Sequence, residues 1–160
     1  FSGSAAVYNG FIKAMLENDV KSMNAYMNKV ALATFSFFDS GRKPSEEAEP
    51  ERFYHGFVLG LSVELADRYI ITSNRESGFG RYDVMLEPRR REDPGILMEF
   101  QVRDSADEAT LADTAQEALD QIERKRYAAV LEEKGIEKTR MRRYGFAFEG
   151  KTVLIKNAQL

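Results

Sequence analysis

Two strand-like segments, residues 80–86 and 95–102, constrain this chain more than any other part of its sequence. Each is largely apolar but places an acidic residue, Asp83 or Glu99, in its middle. A carboxylate inside an apolar strand is costly unless it is paired or binds a cation. Alternation along a strand puts Glu99 and Gln101 on one face. If the segments pair, one register places Asp83 beside both, and a divalent cation would relieve the repulsion between the carboxylates.

The residue types available restrict the metal that such a site could hold. The 160-residue chain has no cysteine and one histidine, His55, which excludes thiolate zinc sites and multi-histidine sites. The remaining ligands are oxygens and amides, which favour hard cations such as Mg²⁺ or Mn²⁺. The lack of cysteine also fits a cytoplasmic protein, and no apolar run is long enough to cross a bilayer. The net charge of −3 means that any nucleic-acid binding needs local basic patches.

Hydrophobic periodicity predicts two helices before the main domain. Residues 4–17, and the segment that follows Asp19, have the spacing of amphipathic helices, whereas residues 41–50 contain two prolines and are predicted to be a linker. We therefore expect a helical extension at residues 1–40 and a second domain at residues 48–160. The helices have methionine-rich faces that need a cover, which a homodimer would supply.

The second domain is predicted to be an α/β domain in which a sheet packs against helices. Its order is one helix, three strands, a second helix and two strands. The expected bounds are a helix at 50–67, strands at 69–72, 80–86 and 95–102, a long helix at 107–134, straight or bent and ended by Gly135, and a hairpin of residues 138–148 and 151–156.

Two glycine patterns have structural rather than functional interpretations. Residues 145–152 match the P-loop pattern, but the residues that follow are β-like and no helix fits, so we interpret Gly150 as part of a hairpin turn and exclude nucleotide binding. Gly56 and Gly60 have the spacing of membrane-helix dimers, yet their helix is charged at both ends. We expect them instead to let this helix approach the sheet closely.

Several motifs together resemble the PD-(D/E)XK nuclease superfamily. More narrowly, the chain resembles the nuclease-like domain found at the C-terminus of bacterial and archaeal proteins with a predicted AAA-ATPase-like domain. The motifs are residues 51–61, 73–78, 80–83, 99–101 and 118–122. The resemblance implies a restriction-endonuclease-like core with a mixed central sheet flanked by helices. It also implies that the N-terminal helices join this core to an ATPase-like partner domain.

The resemblance also implies a chemistry for the acidic strands. Asp83 and Glu99 would bind Mg²⁺ or Mn²⁺ in a nuclease that hydrolyses phosphodiester bonds, most readily those of DNA. Gln101 stands where the superfamily usually has the lysine that orients or activates the attacking water. Glutamine can hydrogen-bond a water but cannot carry a proton or a positive charge. The alternative is a catalytically inactive domain of the same fold that serves nucleic-acid or protein interaction.

Four further residues are candidates to support the site. Related nucleases use an acid or a histidine of the first helix near the metal, which indicates Glu51 and His55. Glu51 is more simply a capping acid, and His55 is equally well explained as a partly buried histidine bonded to backbone. Several members of the superfamily use a glutamine and a tyrosine of the second helix next to the active site. Gln121 has Lys125 one turn further along this helix and Tyr127 nearby. We expect a role for Gln121 only, with solvent-facing positions among residues 124–126. Arg81 is suited to contacting phosphate through its guanidinium group.

Overall fold

The computed structural model describes residues 2–38, 48–75 and 81–158, which form helices on both faces of one sheet. The helices are α1 (Ser2–Leu16), α2 (Val20–Phe38), α3 (Ala48–Leu65), α4 (Leu111–Arg124) and α5 (Tyr127–Glu133), followed by a short 3₁₀ helix (Lys138–Arg140). The strands are β1 (Tyr69–Arg75), β2 (Arg81–Pro88), β3 (Gly95–Val102), β4 (Met141–Glu149) and β5 (Thr152–Asn157). Most of the linker predicted at 41–50 lies outside the described residues, and its last three residues begin α3. Among the helices described, none combines the length and apolar character that crossing a bilayer requires.

The five strands form one mixed sheet in the order β1-β2-β3-β4-β5. β3 and β4 are parallel, and the other neighbouring pairs are antiparallel. Parallel neighbours need a crossover connection, which α4 and α5 provide. This arrangement confirms the predicted α/β class, with a restriction-endonuclease-like mixed sheet flanked by helices and with further helices at the N-terminus. β1 continues beyond the predicted residues 69–72 to Arg75.

Alternation along β3 separates the two cores of the protein. Ile96, Met98 and Phe100 belong to a large apolar cluster shared with α1, α2 and α3. Leu97 points to the other face and belongs to a smaller cluster with Leu119 of α4 and residues of α5. The second face, under α4, is therefore the one on which the odd-numbered residues of β3 lie.

The N-terminal helices contribute directly to the larger core. The Phe11 ring of α1 meets the Phe57 ring of α3 edge-on, with centroids 5.4 Å apart. Met15, Met23 and Met27 are all fully buried. The methionine-rich faces are thus covered within the chain itself, and a second copy is not needed to cover them.

The region predicted as one helix at residues 107–134 forms two helices instead. Thr110 caps α4, because its hydroxyl accepts a hydrogen bond from the Asp113 backbone while the Asp113 carboxylate accepts one from the Thr110 backbone. Arg126, between α4 and α5, has a left-handed φ of 54°. A left-handed residue interrupts an α-helix, and apolar periodicity in the sequence gives no sign of it. Gly135, the predicted terminator, has a φ of 88° just beyond α5.

The glycines of α3 do not bring that helix to the sheet, and this expectation is wrong. A Cβ at Gly60 would lie 2.6 Å from the Tyr8 hydroxyl oxygen, so Gly60 makes room for α1. Gly56 faces open space. Gly150 has a φ of 57° in the turn between β4 and β5, as predicted for a hairpin. Residues 145–152 therefore run from strand through turn to strand, without the helix that a P-loop needs.

Candidate active site

Asp83 and Glu99 lie directly opposite each other on β2 and β3, which is one of the registers that the sequence allows. Arg81 lies opposite Gln101 one step along the same face. Asp83 is 4% exposed, Glu99 0% and Gln101 2%, so all three side chains are buried. Two carboxylates this close and this buried repel each other unless positive charge compensates them.

Gly145 of β4 allows α4 to lie directly on the sheet beside this pair. It is the neighbour of Glu99 in the parallel β3–β4 ladder. A Cβ at Gly145 would lie 2.3 Å from the Ala115 carbonyl oxygen and 3.2 Å from the Ala118 Cβ. Only glycine leaves room for the helix backbone at this point. The close contact holds α4 against the strand that adjoins Glu99.

Lys125, directly after α4, supplies positive charge to the two carboxylates. Its Nζ lies 3.1 Å from Glu99 Oε1, 3.3 Å from Glu99 Oε2 and 3.5 Å from Asp83 Oδ2. The Lys125 side chain is 15% exposed, so the ammonium is largely removed from solvent. Buried charges are stable only when they are paired with opposite charge, and here one ammonium pairs with both carboxylates.

Tyr127 binds the same aspartate from the start of α5. Its hydroxyl donates a hydrogen bond to Asp83 Oδ2 at 2.8 Å. On a continuous helix, side chains two residues apart project about 200° apart and could not meet at one carboxylate. The left-handed Arg126 between them changes this and brings Lys125 and Tyr127 to one site. The sequence pattern predicts a role for neither residue, because the conformation of Arg126 determines where both side chains point.

Gln101 contributes a buried hydrogen-bond donor. Its Nε2 has no partner within the part of the chain that the structure describes. Leaving a buried donor unpaired costs about 1–3 kcal/mol, so such a group in a native protein calls for an explanation. A water or a phosphate oxygen beside the carboxylates would satisfy this donor.

Tyr54 of α3 supports Asp83 from the opposite face of the sheet. Its hydroxyl donates to the Asp83 backbone carbonyl at 3.3 Å, and its ring stacks on Tyr82 with centroids 4.3 Å apart. Burial raises the pKa of the Tyr54 hydroxyl, which keeps this group protonated and able to donate. These contacts fix the backbone of β2 at the residue that carries the carboxylate.

Gln121 joins the site through Arg81 rather than through the carboxylates. With the Gln121 amide oriented so that Oε1 faces the two arginines, Oε1 accepts hydrogen bonds from Arg81 Nη1 at 3.3 Å and from Arg124 Nη2 at 3.2 Å. Arg81 is half-buried and precedes Asp83 by two residues on the same face of β2. The structure thus brings two of the predicted supporting residues, Gln121 and Arg81, together at the edge of the acidic pair.

The donor set fits a hard divalent cation. Mg²⁺ is commonly held by one or two protein carboxylates, while waters and substrate phosphates complete its coordination. Asp83 and Glu99 provide such a pair. No group of three or more histidine, aspartate or glutamate ligands occurs within the described ranges. The side chains of Glu51 and His55, the other two predicted supporting residues, lie outside the described part of the structure.

Comparison with known protein families gives a match over most of the chain. The model described as the PD-(D/E)XK nuclease superfamily matches residues 49–158, which begin in α3 and extend just beyond β5. The matched region includes every residue of the site. No curated protein and no solved structure matches the chain. The helices α1 and α2 precede the matched region.

Proposed function

This chain belongs to the PD-(D/E)XK nuclease superfamily, and on that premise we propose that it is a metal-dependent nuclease that hydrolyses phosphodiester bonds in DNA. The observation that carries the proposal is the buried pair Asp83 and Glu99, opposite each other on one face of the sheet with Gln101 beside them. We assign Mg²⁺ or Mn²⁺ as the cation that these carboxylates bind.

Each side chain has a separate part in the proposed reaction. Asp83 and Glu99 would hold the cation, which would supply Lewis-acid chemistry and lower the pKa of water there. Gln101 would donate a hydrogen bond from Nε2 to the attacking water or to a phosphate oxygen, but it cannot accept a proton. Tyr127 and Tyr54 fix the carboxylate and the backbone of Asp83 through the hydrogen bonds described above.

Arginines at the edge of the site support a nucleic-acid substrate. Arg81 lies on the face of β2 that carries the aspartate, and the exposed Arg126 follows α4. Guanidinium groups match phosphate oxygens through two parallel hydrogen bonds. Since the net charge of the chain is −3, attraction of a polyanion must come from such local groups.

Incubation of the purified protein with plasmid and linear DNA in Mg²⁺ or Mn²⁺ tests the proposal. We expect cleavage that a chelator abolishes. Asp83→Asn and Glu99→Gln should each reduce cleavage by more than the roughly 10- to 100-fold that residues around metal ligands typically contribute. Glu87→Gln is the matched control, because this acid of β2 pairs with Lys134 away from the site. An uncut substrate with the unmodified protein, or full activity in Asp83→Asn, would disprove the proposal.

One observation favours a second function, that of a catalytically inactive interaction domain. The Lys125 ammonium lies close to both Asp83 and Glu99, so the buried acids need no metal for their stability. A domain that binds nucleic acid or protein without cutting would retain this arrangement. It predicts that labelled DNA is bound but not cleaved and that calorimetry detects no Mn²⁺ binding. Mn²⁺ binding that is lost in Glu99→Gln would count against it.

A further inference from the structure

We propose that Lys125 is the cationic group of this site, held on Asp83 and Glu99 until a divalent metal displaces its ammonium and leaves it beside the reacting phosphate. This inference rests on the proposed function, and it assigns to a helix-borne residue the positive charge that Gln101 lacks. Lys125 is contributed by the junction between α4 and α5 rather than by a strand of the sheet.

The Lys125 ammonium and a metal ion would use the same carboxylate oxygens. Lys125 Nζ lies within 3.1–3.5 Å of both Glu99 carboxylate oxygens and of Asp83 Oδ2. Mg²⁺ binds carboxylate oxygens at about 2.0–2.1 Å, so both cations cannot lie between the two side chains at once. Both carboxylates are buried, with Glu99 0% exposed. Metal binding to this pair therefore requires the ammonium to move.

The backbone at the junction between α4 and α5 directs Lys125 towards the carboxylates. Arg126 is one of two non-glycine residues with a positive φ in the described chain. Such a conformation is unfavourable for an L-residue, and at functional sites it is retained because the surrounding structure requires it. Here it places Lys125 and Tyr127 on the same carboxylate, that of Asp83. Tyr127 would keep Asp83 in position while Lys125 moves, because its own hydrogen bond does not involve the ammonium.

After it has moved, Lys125 can still act on the attacking water and the phosphate. Its flexible four-carbon stem keeps the ammonium close to the carboxylates when Nζ shifts by a few ångströms. From there the ammonium can donate a hydrogen bond to the attacking water or to a phosphoryl oxygen. Its charge then opposes the negative charge that builds on those oxygens in the transition state. Gln101 can provide a hydrogen bond in the same region but no charge.

Mn²⁺ titration by calorimetry at constant pH tests the displacement without relying on activity. Lys125→Met should bind Mn²⁺ more tightly than the unmodified protein, because the ammonium no longer competes for the carboxylate oxygens. We expect a gain of roughly 10- to 100-fold, equal in size and opposite in sign to the loss seen when a supporting contact to a metal ligand is removed. Lys125→Gln, which keeps hydrogen bonding but removes the charge, should shift the affinity in the same direction and serves if the methionine variant does not fold. Lys134→Met is the matched control, because Lys134 pairs with Glu87 and not with the two carboxylates of the site. Equal Mn²⁺ affinity in both Lys125 variants and the unmodified protein would overturn the inference.

Removing the lysine at position 125 and adding one at position 101 tests whether Lys125 acts in catalysis, with DNA cleavage as the measurement. Lys125→Met should lose cleavage in spite of its tighter metal binding, and adding Gln101→Lys to it should restore cleavage, because a lysine then reaches the site from β3. Full cleavage by Lys125→Met, or no recovery in a folded double variant, would refute the assignment.

The two experiments also separate this inference from the proposed function. If the unmodified protein neither binds Mn²⁺ nor cuts DNA while Lys125→Met binds Mn²⁺, competition between the Lys125 ammonium and the metal for the carboxylates is supported and the nuclease activity is not. If the unmodified protein cuts DNA and Lys125→Met is unchanged in both assays, the nuclease stands and the role of Lys125 is refuted. If no variant binds Mn²⁺, both proposals fail.

Discussion

At the scale of single residues, Arg68 and Asp93 form an ion pair outside the site that holds two chain segments together. Arg68 Nη2 lies 2.6 Å from Asp93 Oδ1, and Arg68 Nε lies 3.3 Å from Asp93 Oδ2. This two-point contact joins the segment before β1 to the turn between β2 and β3. The hydrogen bond from Arg68 holds the pKa of the Asp93 carboxyl below its ordinary value.

That lowered pKa predicts how the stability of the protein depends on pH. A carboxyl whose pKa is lower in the folded state stabilises the protein above its unfolded pKa, near 3.9, and loses this contribution as pH falls through the folded pKa. Asp93→Asn should therefore lower the free energy of unfolding at pH 7 by about 1 kcal/mol. The difference from the unmodified protein should shrink towards zero as the pH falls through the lowered folded pKa. Urea denaturation at pH 7 and in acid measures it, and Asp107→Asn, at an exposed position, is the control. A deficit that stays constant with pH would be inconsistent with this pairing.

Some residues of the site were predictable from the sequence and others were not, for a physical reason. Asp83, Glu99 and Gln101 follow from the two-residue period of a strand, which fixes the face of each side chain once pairing is assumed. Lys125 and Tyr127 depend on a single backbone angle between two helices. That angle is set by tertiary contacts with the sheet, and no local pattern of apolar residues encodes it.

At the scale of elements, the junction between α4 and α5 determines which helix side chains reach the site. Arg126 is exposed, and its left-handed backbone is the feature that the junction needs. Arg126→Gly and Arg126→Ala remove the same side chain, but only glycine adopts this conformation without strain. We expect the alanine variant to be less stable than the glycine variant by about 1 kcal/mol. Chemical denaturation of the two variants side by side measures the difference, and equal stabilities would show that the junction is not strained.

The elements themselves were largely predictable. The order of helices and strands follows from hydrophobic periodicity, and the hairpin turn at Gly150 follows from its position between two β-like segments. The division of the helix predicted at 107–134 into α4 and α5 was not predictable, since both of these helices keep an apolar stripe. The close approach of α4 to Gly145 was also not predictable, because it depends on which strand lies beneath the helix.

At the scale of the whole molecule, α2 is bound to the sheet by two asparagine side chains. The Asn24 amide donates to the Ile155 carbonyl at 2.9 Å and accepts from the Ile155 N–H at 2.8 Å. The Asn28 amide makes the same pair of bonds with Val153, at 3.0 and 3.2 Å. Each side chain thus binds the backbone of β5 as a neighbouring strand would. Although α2 lies before the region that matches the family, it is an integral part of the folded unit.

Removing both amides should destabilise the whole protein. Asn24→Ala/Asn28→Ala would leave the outward peptide groups of Val153 and Ile155 without these partners, at about 1–3 kcal/mol for each residue left unsatisfied. We expect a loss of about 2–6 kcal/mol in the free energy of unfolding, measured by urea denaturation. Lys21→Ala/Lys29→Ala changes two exposed residues of the same helix and is the matched control. Similar stability in the two double variants would show that the amide contacts contribute little.

The asparagine contacts also make the two edges of the sheet unequal. A strand at the edge of a sheet can accept an extended segment from another chain, because its outward peptide groups are unpaired. Asn24 and Asn28 occupy those groups on β5, whereas β1 at the opposite edge pairs only with β2 among the described strands and leaves Ile70 44% exposed. If a partner chain extends this sheet, it can therefore do so from one side only, and the sheet would grow outward from β1.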